Sequence, residues 1–267
     1  GEPIWQAAID KEAEVETPMW GFSSSPLVVG DVVITYAGGG DDNGLLAYDI
    51  ESGELKWKAG GGTHSYSSPH LAEIDDVEQV LMLTNEGAFA VAPDTGDVLW
   101  EHDWPFNGYR VVQPNVAGNR VLLGTTGGQG TRCLELRQDA DGWVAEEKWT
   151  TNGLKPYFND FVIHDGHDYG FDNNILDCLD LETGERTWKG GRYGTGQLLL
   201  LADEDLLLVT TEKTGEVVFV DAKPERHRER GRWKVLEGKT WNHPVLINDR
   251  LFVRNAKEAA CFQWTEV

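Results

Sequence analysis

The chain holds 267 residues, 40% of them hydrophobic, with 31 glycines, 11 tryptophans and a net charge of −22. That length gives one large domain or two small ones. No apolar run reaches the ~20 residues of a membrane helix, and no basic-then-apolar start marks a secretory signal. The acidic excess disfavours a nucleic-acid partner, which needs a cationic footprint. Three widely spaced cysteines, Cys133, Cys178 and Cys261, make neither a disulfide framework nor a zinc site.

In chain order, "GEPIWQAAID" sets Gly1 four residues before Trp5, and "AAIDKEAEVE" (Ala7–Glu16) reads as a loop or one helical turn. "SSPLVVGDVVITYAG" (Ser24–Gly38) predicts two short strands around a Gly-Asp turn. "AYDIESGELKW" (Ala47–Trp57) adds a third strand, a Ser-Gly turn and a fourth strand. The same order returns in "SSPHLAEIDDVEQVLMLT" (Ser67–Thr84) with "AVAPDTGDVLW" (Ala90–Trp100). "VQPNVAGNRVLLGTT" (Val112–Thr126) follows, with the longer-turned "CLELRQDADGWVAEEKW" (Cys133–Trp149). "NDFVIHDGHDYGF" (Asn159–Phe171) goes with "CLDLETGERTW" (Cys178–Trp188), and "GQLLLLADEDLLLVTT" (Gly196–Thr211) with "FVDAKPERHRERGRW" (Phe219–Trp233). Last come "NHPVLINDRLFVRNA" (Asn242–Ala256) and "CFQWTEV", which ends before its Gly and Trp.

The marker tryptophans Trp5, Trp57, Trp100, Trp149, Trp188 and Trp233 are spaced 52, 43, 49, 39 and 45 residues apart. A period of about 40–50 residues suits four strands per unit. The predicted fold is all-β: a β-propeller of four-stranded antiparallel blades, six in number, stacked radially. The N-terminal "GEPIWQAAI" is expected to supply the fourth strand of the last blade, since a ring closes best without a free edge. Residues 1–267 then form a single propeller domain; the other reading is the C-terminal part of a longer propeller. Asp49, Asp180 and Asp221 are expected to accept backbone N–H bonds in the turns, where Gly53, Gly96 and Gly184 allow positive φ. The cysteines fall in one third-strand column (Ala47, Ala90, Cys133, Cys178, Phe219, Cys261), expected to pack between blades.

The Asp-x-x-Ser/Thr-Gly-x-x-x-Trp repeat resembles the pyrroloquinoline quinone (PQQ) repeat of β-propeller proteins. That family includes quinoprotein alcohol dehydrogenases and the propeller lipoprotein of outer-membrane β-barrel assembly. The stretches Phe161–Val209 and Gly238–Phe262 look most like the PQQ-binding-like propellers of planctomycete-type bacteria. The resemblance implies a periplasmic or otherwise extracytoplasmic address. It also implies a ligand face on the loops entering the innermost strands. Here those loops carry Trp20 and Ser24; His64 and Tyr66; Tyr109, Arg110 and Gln113; Tyr157, Asn159 and Asp160; Thr195 and Gln197; and Trp241 and His243. Aromatic rings there offer stacking area and polar groups fix orientation.

Family enzymes use PQQ with Ca²⁺, an Asp base and adjacent cysteines under the cofactor. This chain has no Cys-Cys pair, and Asn159-Asp160 is its one Asn/Asp pair on those loops. The preferred reading is therefore a non-catalytic scaffold that binds a protein or small ligand. The alternatives are a PQQ-dependent oxidoreductase or its degenerate descendant, and a carbohydrate-binding module. "HDGHD" (His164–Asp168) reads as a hairpin turn rather than a metal cluster, because alternation points neighbours to opposite faces. "GGGDDNG" (Gly38–Gly44) lacks the ligand spacing of a calcium loop. The basic run Lys223–Lys234 reads as a solvated turn between strands.

Overall fold

The computed structural model describes residues 1–264. Among them, six antiparallel sheets follow one another along the chain. The first holds β1 (Leu27–Val29), β2 (Val32–Tyr36), β3 (Leu45–Asp49) and β4 (Leu55–Ala59); the second β5 (His70–Ile74), β6 (Val77–Leu83), β7 (Gly87–Val91) and β8 (Val98–Asp103). The third holds β9 (Asn115–Ala117), β10 (Arg120–Gly124), β11 (Thr131–Asp139) and β12 (Gly142–Thr151). The fourth holds β13 (Val162–His164), β14 (His167–Asp172), β15 (Ile175–Asp180) and β16 (Arg186–Arg192). The fifth holds β17 (Gln197–Leu201), β18 (Leu206–Thr210), β19 (Glu216–Asp221) and β20 (Glu229–Lys234). The sixth has three strands, β21 (Val245–Ile247), β22 (Arg250–Arg254) and β23 (Ala259–Gln263). Each strand pairs with its neighbour in sequence, so every sheet is a meander.

The repeats fold this way because their turn chemistry and alternation agree. Gly30, Asp76, Gly118, Asp165, Asp205 and Asn248 take positive φ in the six first hairpins. Both faces of most sheets are apolar, and within each unit the core lies between successive sheets. One cluster joins the first and second sheets through Ile34, Ala47, Met82 and Phe89, and another joins the second and third through Leu81, Ala90, Leu123 and Leu134. The fourth and fifth sheets meet through Phe171, Cys178, Val209 and Val218, and the fifth and sixth through Leu208, Phe219, Leu251 and Val253. The contacts divide the chain into two compact units, Gly1–Thr150 and Thr151–Val267. Among the described residues no helix is long and apolar enough to cross a membrane.

Two of the marker tryptophans, Trp57 and Trp188, latch one sheet to the next. Trp57 leaves β4 and lies over Gly96 in the β7–β8 turn, where its indole N–H donates to the Pro93 carbonyl at 3.0 Å. Trp188 donates to the Lys223 carbonyl at 2.7 Å. Trp100 faces a third sheet whose longer β11 and β12 are joined by only two residues, without the Ser/Thr-Gly turn, and it donates instead to Gln79 Oε1 at 2.7 Å. The turn carboxylates explain the sequence signature. Asp49 Oδ1 accepts the Ser52 N–H (2.8 Å) and hydroxyl (2.9 Å), and Asp180 Oδ1 does the same for Thr183. Asp221 departs from that expectation: its turn is extended, and its carboxylate holds Arg230 instead.

The fourth strand expected of the N-terminus is not formed. Residues 1–8 carry no strand, and Ile9–Glu12 make one helical turn. Trp5 nonetheless fills the marker role for the first sheet. It covers Gly53, donates to the Ile50 carbonyl at 2.9 Å, and joins Ala7, Ile9 and Val15 over Leu46 and Tyr48.

The latch predicts unequal responses at two glycines that both take positive φ. A Cβ on Gly118 meets nothing within 4 Å, whereas one on Gly96 falls 2.7 Å from the Trp57 ring. Gly118→Ala should cost about 1–2 kcal/mol, the left-handed backbone cost alone. Gly96→Ala should cost a further ~1–3 kcal/mol from overpacking. Urea unfolding of the two variants measures the difference.

Candidate functional site

The loops that enter the first strands carry one aromatic cluster in each unit. In the first unit, Trp20 precedes β1, His64 and Tyr66 precede β5, and Tyr109 precedes β9. Trp20 lies 4.4 Å from Tyr109 and 5.2 Å from Tyr66 between ring centroids, and the His64 ring stands edge-on to Tyr66 at 4.8 Å. Burial lowers the His64 pKa below its ordinary value. Tyr66 is buried and its hydroxyl accepts the Trp20 N–H at 3.3 Å, while Trp20 itself remains 55% exposed.

The neighbouring polar residues mostly hold the loops. Gln113 Nε2 donates to the Pro69 carbonyl (3.0 Å) and the Ser68 carbonyl (3.3 Å), tying the loop before β9 to that before β5. Ser24 Oγ is buried without a protein partner. Arg110 is not presented on the loop face. It is wholly buried, its guanidinium donates to the Trp104 and Gly124 carbonyls, and its Cζ lies 4.6 Å from the Trp104 centroid. Arg132 also stacks on Trp104 at 4.6 Å. Sequence reading missed Trp104 because it falls outside the repeat column.

In the second unit, Tyr157, Phe158 and Trp241 form the cluster, with Phe158 5.2 Å from Tyr157 and 4.8 Å from Trp241. Tyr157 is 49% and Trp241 44% exposed. Lys239 sits over the Trp241 ring, 3.0 Å from its centroid, and Glu212 accepts the Trp241 indole N–H at 3.1 Å and the Thr195 N–H at 3.1 Å. Burial pushes the Glu212 pKa up, but those hydrogen bonds outweigh it and hold the carboxylate below its usual range. Gln197 Nε2 donates to the carbonyls of Phe158 (3.4 Å) and Trp241 (3.2 Å) and fastens both loops. Gln197 Oε1 and Asn159 Nδ2 are left buried without a protein partner. His243 Nε2 faces Asp160 Oδ2 at 3.2 Å. Glu212, Lys239 and Phe158 escaped the sequence reading, Glu212 because it comes from the far end of β18 rather than from an entering loop.

The family model described as outer membrane protein assembly factor BamB matches residues 1–190. The chain belongs to this BamB-like, PQQ-repeat family. Among solved structures, BamB from Moraxella catarrhalis is similar at 18% identity and a TM-score of 0.67, covering 90% of this chain and 71% of that one. A protein titled as functionally unknown from Desulfotomaculum acetoxidans is similar at 12% identity and a TM-score of 0.58, covering 90% of this chain and 82% of that one. These likenesses give the fold, a β-propeller whose blades are the sheets described above. No curated protein matches the chain.

The BamB-like repeat is shared with quinoproteins, but the loop pair does not fit a calcium–quinone centre. Asn159 is wholly buried and its Oδ1 accepts the Tyr157 N–H at 2.9 Å, so it presents no oxygen to an ion on the loop face. Asp160 is engaged with His243.

A second polar group lies within the fourth sheet. Arg186 Nε and Nη2 reach the two oxygens of buried Asp177 at 2.6 and 2.8 Å. Asp172 binds Lys155 (2.8 Å), Arg186 (2.9 Å) and Lys189. Burial raises the Asp172 pKa, but the Lys155 and Lys189 hydrogen bonds more than offset this and lower it. In "HDGHD", His164 Nε2 meets Asp205 at 2.9 Å, and the Lys223 ammonium on Asp205 at 3.2 Å already supplies a cation there. Asp168 is wholly buried, and neither of its oxygens has a partner. Burial, then the Asp177 carboxylate, pushes its pKa well above the ordinary value.

A folded pKa raised above the unfolded one stabilises the protein below the unfolded value, about 4, and that stability is lost as pH rises through the folded pKa. Asp168→Asn removes this loss. Relative to the parent, the variant should gain urea resistance progressively as pH climbs above about 4. An offset that stays constant with pH would show that Asp168 is ionised in the fold.

Proposed function

We propose that this chain is a binding scaffold working outside the cytoplasm, in which the aromatic cluster on the entering loops of each unit offers a site for an extended protein segment. The observation that carries this reading is the set of rings Trp20, Tyr157 and Trp241, each 44–55% exposed yet fixed by neighbouring rings and hydrogen bonds. Rings already ordered in the free protein give contact area at low entropic cost. The family description, outer membrane protein assembly factor, favours a protein as the occupant. The carboxylates near the second cluster are committed to partners, which suits binding more than proton transfer.

Titration with ten-residue peptides of alternating aromatic and polar residues, followed by tryptophan fluorescence, tests the proposal. Saturable binding is expected. Trp20→Ala and Trp241→Ala should each weaken binding at the cluster of its own unit about tenfold or more, ~1.4 kcal/mol. Because both rings are exposed, the thermal midpoint should hardly move. Saturable binding of PQQ with Ca²⁺ together with dye-linked alcohol oxidation would replace the scaffold by a quinoprotein. Binding of an oligosaccharide but of no peptide would replace it by a carbohydrate module.

A further inference from the structure

Glycine follows three asparagines in this chain, at Asn43–Gly44, Asn107–Gly108 and Asn152–Gly153. Such a pair carries chemistry of its own. The glycine amide nitrogen can attack the carbonyl carbon of the asparagine side chain, and with no Cβ on the glycine that nitrogen is poorly shielded. The attack requires the nitrogen to leave any hydrogen bond it makes and the backbone around it to turn. The fold treats the three pairs differently.

Asn43–Gly44 is locked. The Gly44 N–H donates to the Gly60 carbonyl at 2.9 Å, and the Gly44 carbonyl accepts the Ala37 N–H at 2.8 Å. Asn43 is bonded on both sides as well, its N–H to the Gly40 carbonyl and its carbonyl to the Gly39 N–H. Gly44 is buried so closely that a Cβ on it would fall 2.7–2.8 Å from the carbonyl oxygens of Gly61 and Gly60. Asn152–Gly153 is held too. Gly153 is buried, its N–H donates to the Thr151 hydroxyl at 3.3 Å, and a Cβ there would fall 2.9 Å from the Leu179 side chain. The Asn152 carbonyl accepts the Lys155 ammonium at 2.6 Å, and the Leu154 N–H reaches Asp177 at 3.4 Å.

Asn107–Gly108 lies between two anchors of the loop before β9. The Phe106 N–H donates to the Asn85 carbonyl at 2.8 Å, and the Tyr109 carbonyl accepts the Thr126 hydroxyl at 2.9 Å. Between those anchors neither Asn107 nor Gly108 is hydrogen-bonded to any described residue. Asn107 is exposed and Gly108 half-buried, so water reaches both. The atoms nearest a Cβ on Gly108 belong to the Phe106 ring, a side chain of the same loop.

We propose that Asn107 is a self-modifying site, which deamidates through a cyclic imide in the folded protein while the fold protects Asn43 and Asn152. The Gly108 nitrogen bonds to Asn107 Cγ, the Cγ–Nδ2 bond breaks, and ammonia leaves with the proton of the Gly108 amide. Water then opens the five-membered ring at either carbonyl, leaving aspartate or isoaspartate. Either product is ionised at pH 7 and adds one negative charge, and isoaspartate also lengthens the main chain by one carbon. The change falls two residues before Tyr109, whose ring meets Trp20 at 4.4 Å.

The test follows the 267-residue chain in mildly alkaline buffer at physiological temperature, with peptide mass spectrometry reading the gain of about one dalton at each asparagine. A parallel sample in concentrated urea gives the rate of each pair without the fold. In urea all three pairs should convert. In the native chain Asn107 should keep a rate close to its urea value, while Asn43 and Asn152 fall behind theirs by about tenfold or more, since each must first break hydrogen bonds. Asn107→Gln should abolish the native-state product, because its longer side chain would have to close a six-membered ring, and should leave the thermal midpoint unchanged. Native conversion at Asn43 or Asn152 as fast as at Asn107 overturns the proposal. So does an Asn107 slowed by the fold as strongly as the other two.

Discussion

Everything in this fold depends on sheet packing against sheet. A four-stranded unit here has apolar side chains on both faces, as Leu45, Leu46, Ala47 and Tyr48 show along the buried β3 strand. Alternation along a strand sends neighbours to opposite faces, so such a strand requires cover on both sides. A lone unit would leave one face in water at roughly 25 cal/mol per Å² of apolar area. The tryptophan latch fixes how the next unit sits. Trp57 needs a turn with no Cβ at Gly96 and a carbonyl at Pro93, and the two requirements together set angle as well as contact. Where the following hairpin lacks that turn, Trp100 finds Gln79 within its own sheet, because a buried indole N–H left unpaired would cost more than a local bond.

The loops inherit their positions from this stacking. The first strands β1 and β5 lie side by side, as do β13 and β17, so the loops entering them converge without a core of their own. Backbone groups in such loops need partners, and the side chains before each first strand supply them. Ser68 Oγ accepts the Ser25 N–H, Gln113 reaches the Pro69 carbonyl, and Gln197 reaches Phe158 and Trp241. Polar residues of the entering loops are thus largely spent on holding loops together. What remains for a ligand is the aromatic surface they hold up.

The sheets were legible in the sequence because the physics that makes them is local. A turn needs Gly or Asn, a strand needs alternation, and the Asp49–Ser52 bond spans three residues. The candidate loops were legible because each repeat marks its own start. The chemistry within those loops was not, because it depends on distant partners. Arg110 looks like a ligand residue until Trp104 and Arg132 are seen packed around it, with burial and then Arg132 lowering its pKa to about 9. Asp221 keeps the motif's letter but pairs with Arg230, nine residues on, because the turn it would have braced is longer. The N-terminal segment keeps the motif's spacing without its strand. Trp5 still covers the turn of the first sheet, and a ring can do that from irregular backbone.

The fourth sheet shows what happens when the repeat accepts charge where its siblings keep apolar side chains. Asp177 occupies the place of Leu46 in the first sheet, one residue before the small-residue column, and it is as deeply buried. Arg186 offsets that desolvation through two hydrogen bonds and continues to Asp172, which Lys155 and Lys189 also reach. A single partner would leave carboxylate lone pairs bare, so the network is as large as its two acids require. Asp168 lies outside it, and burial beside the Asp177 carboxylate, with no cation facing it, pushes its pKa well above the ordinary value. Removing Arg186 would leave the wholly buried Asp177 without its cation. Arg186 itself is 40% exposed, so water screens part of the pair and the loss falls short of the ~3–5 kcal/mol of a fully buried one.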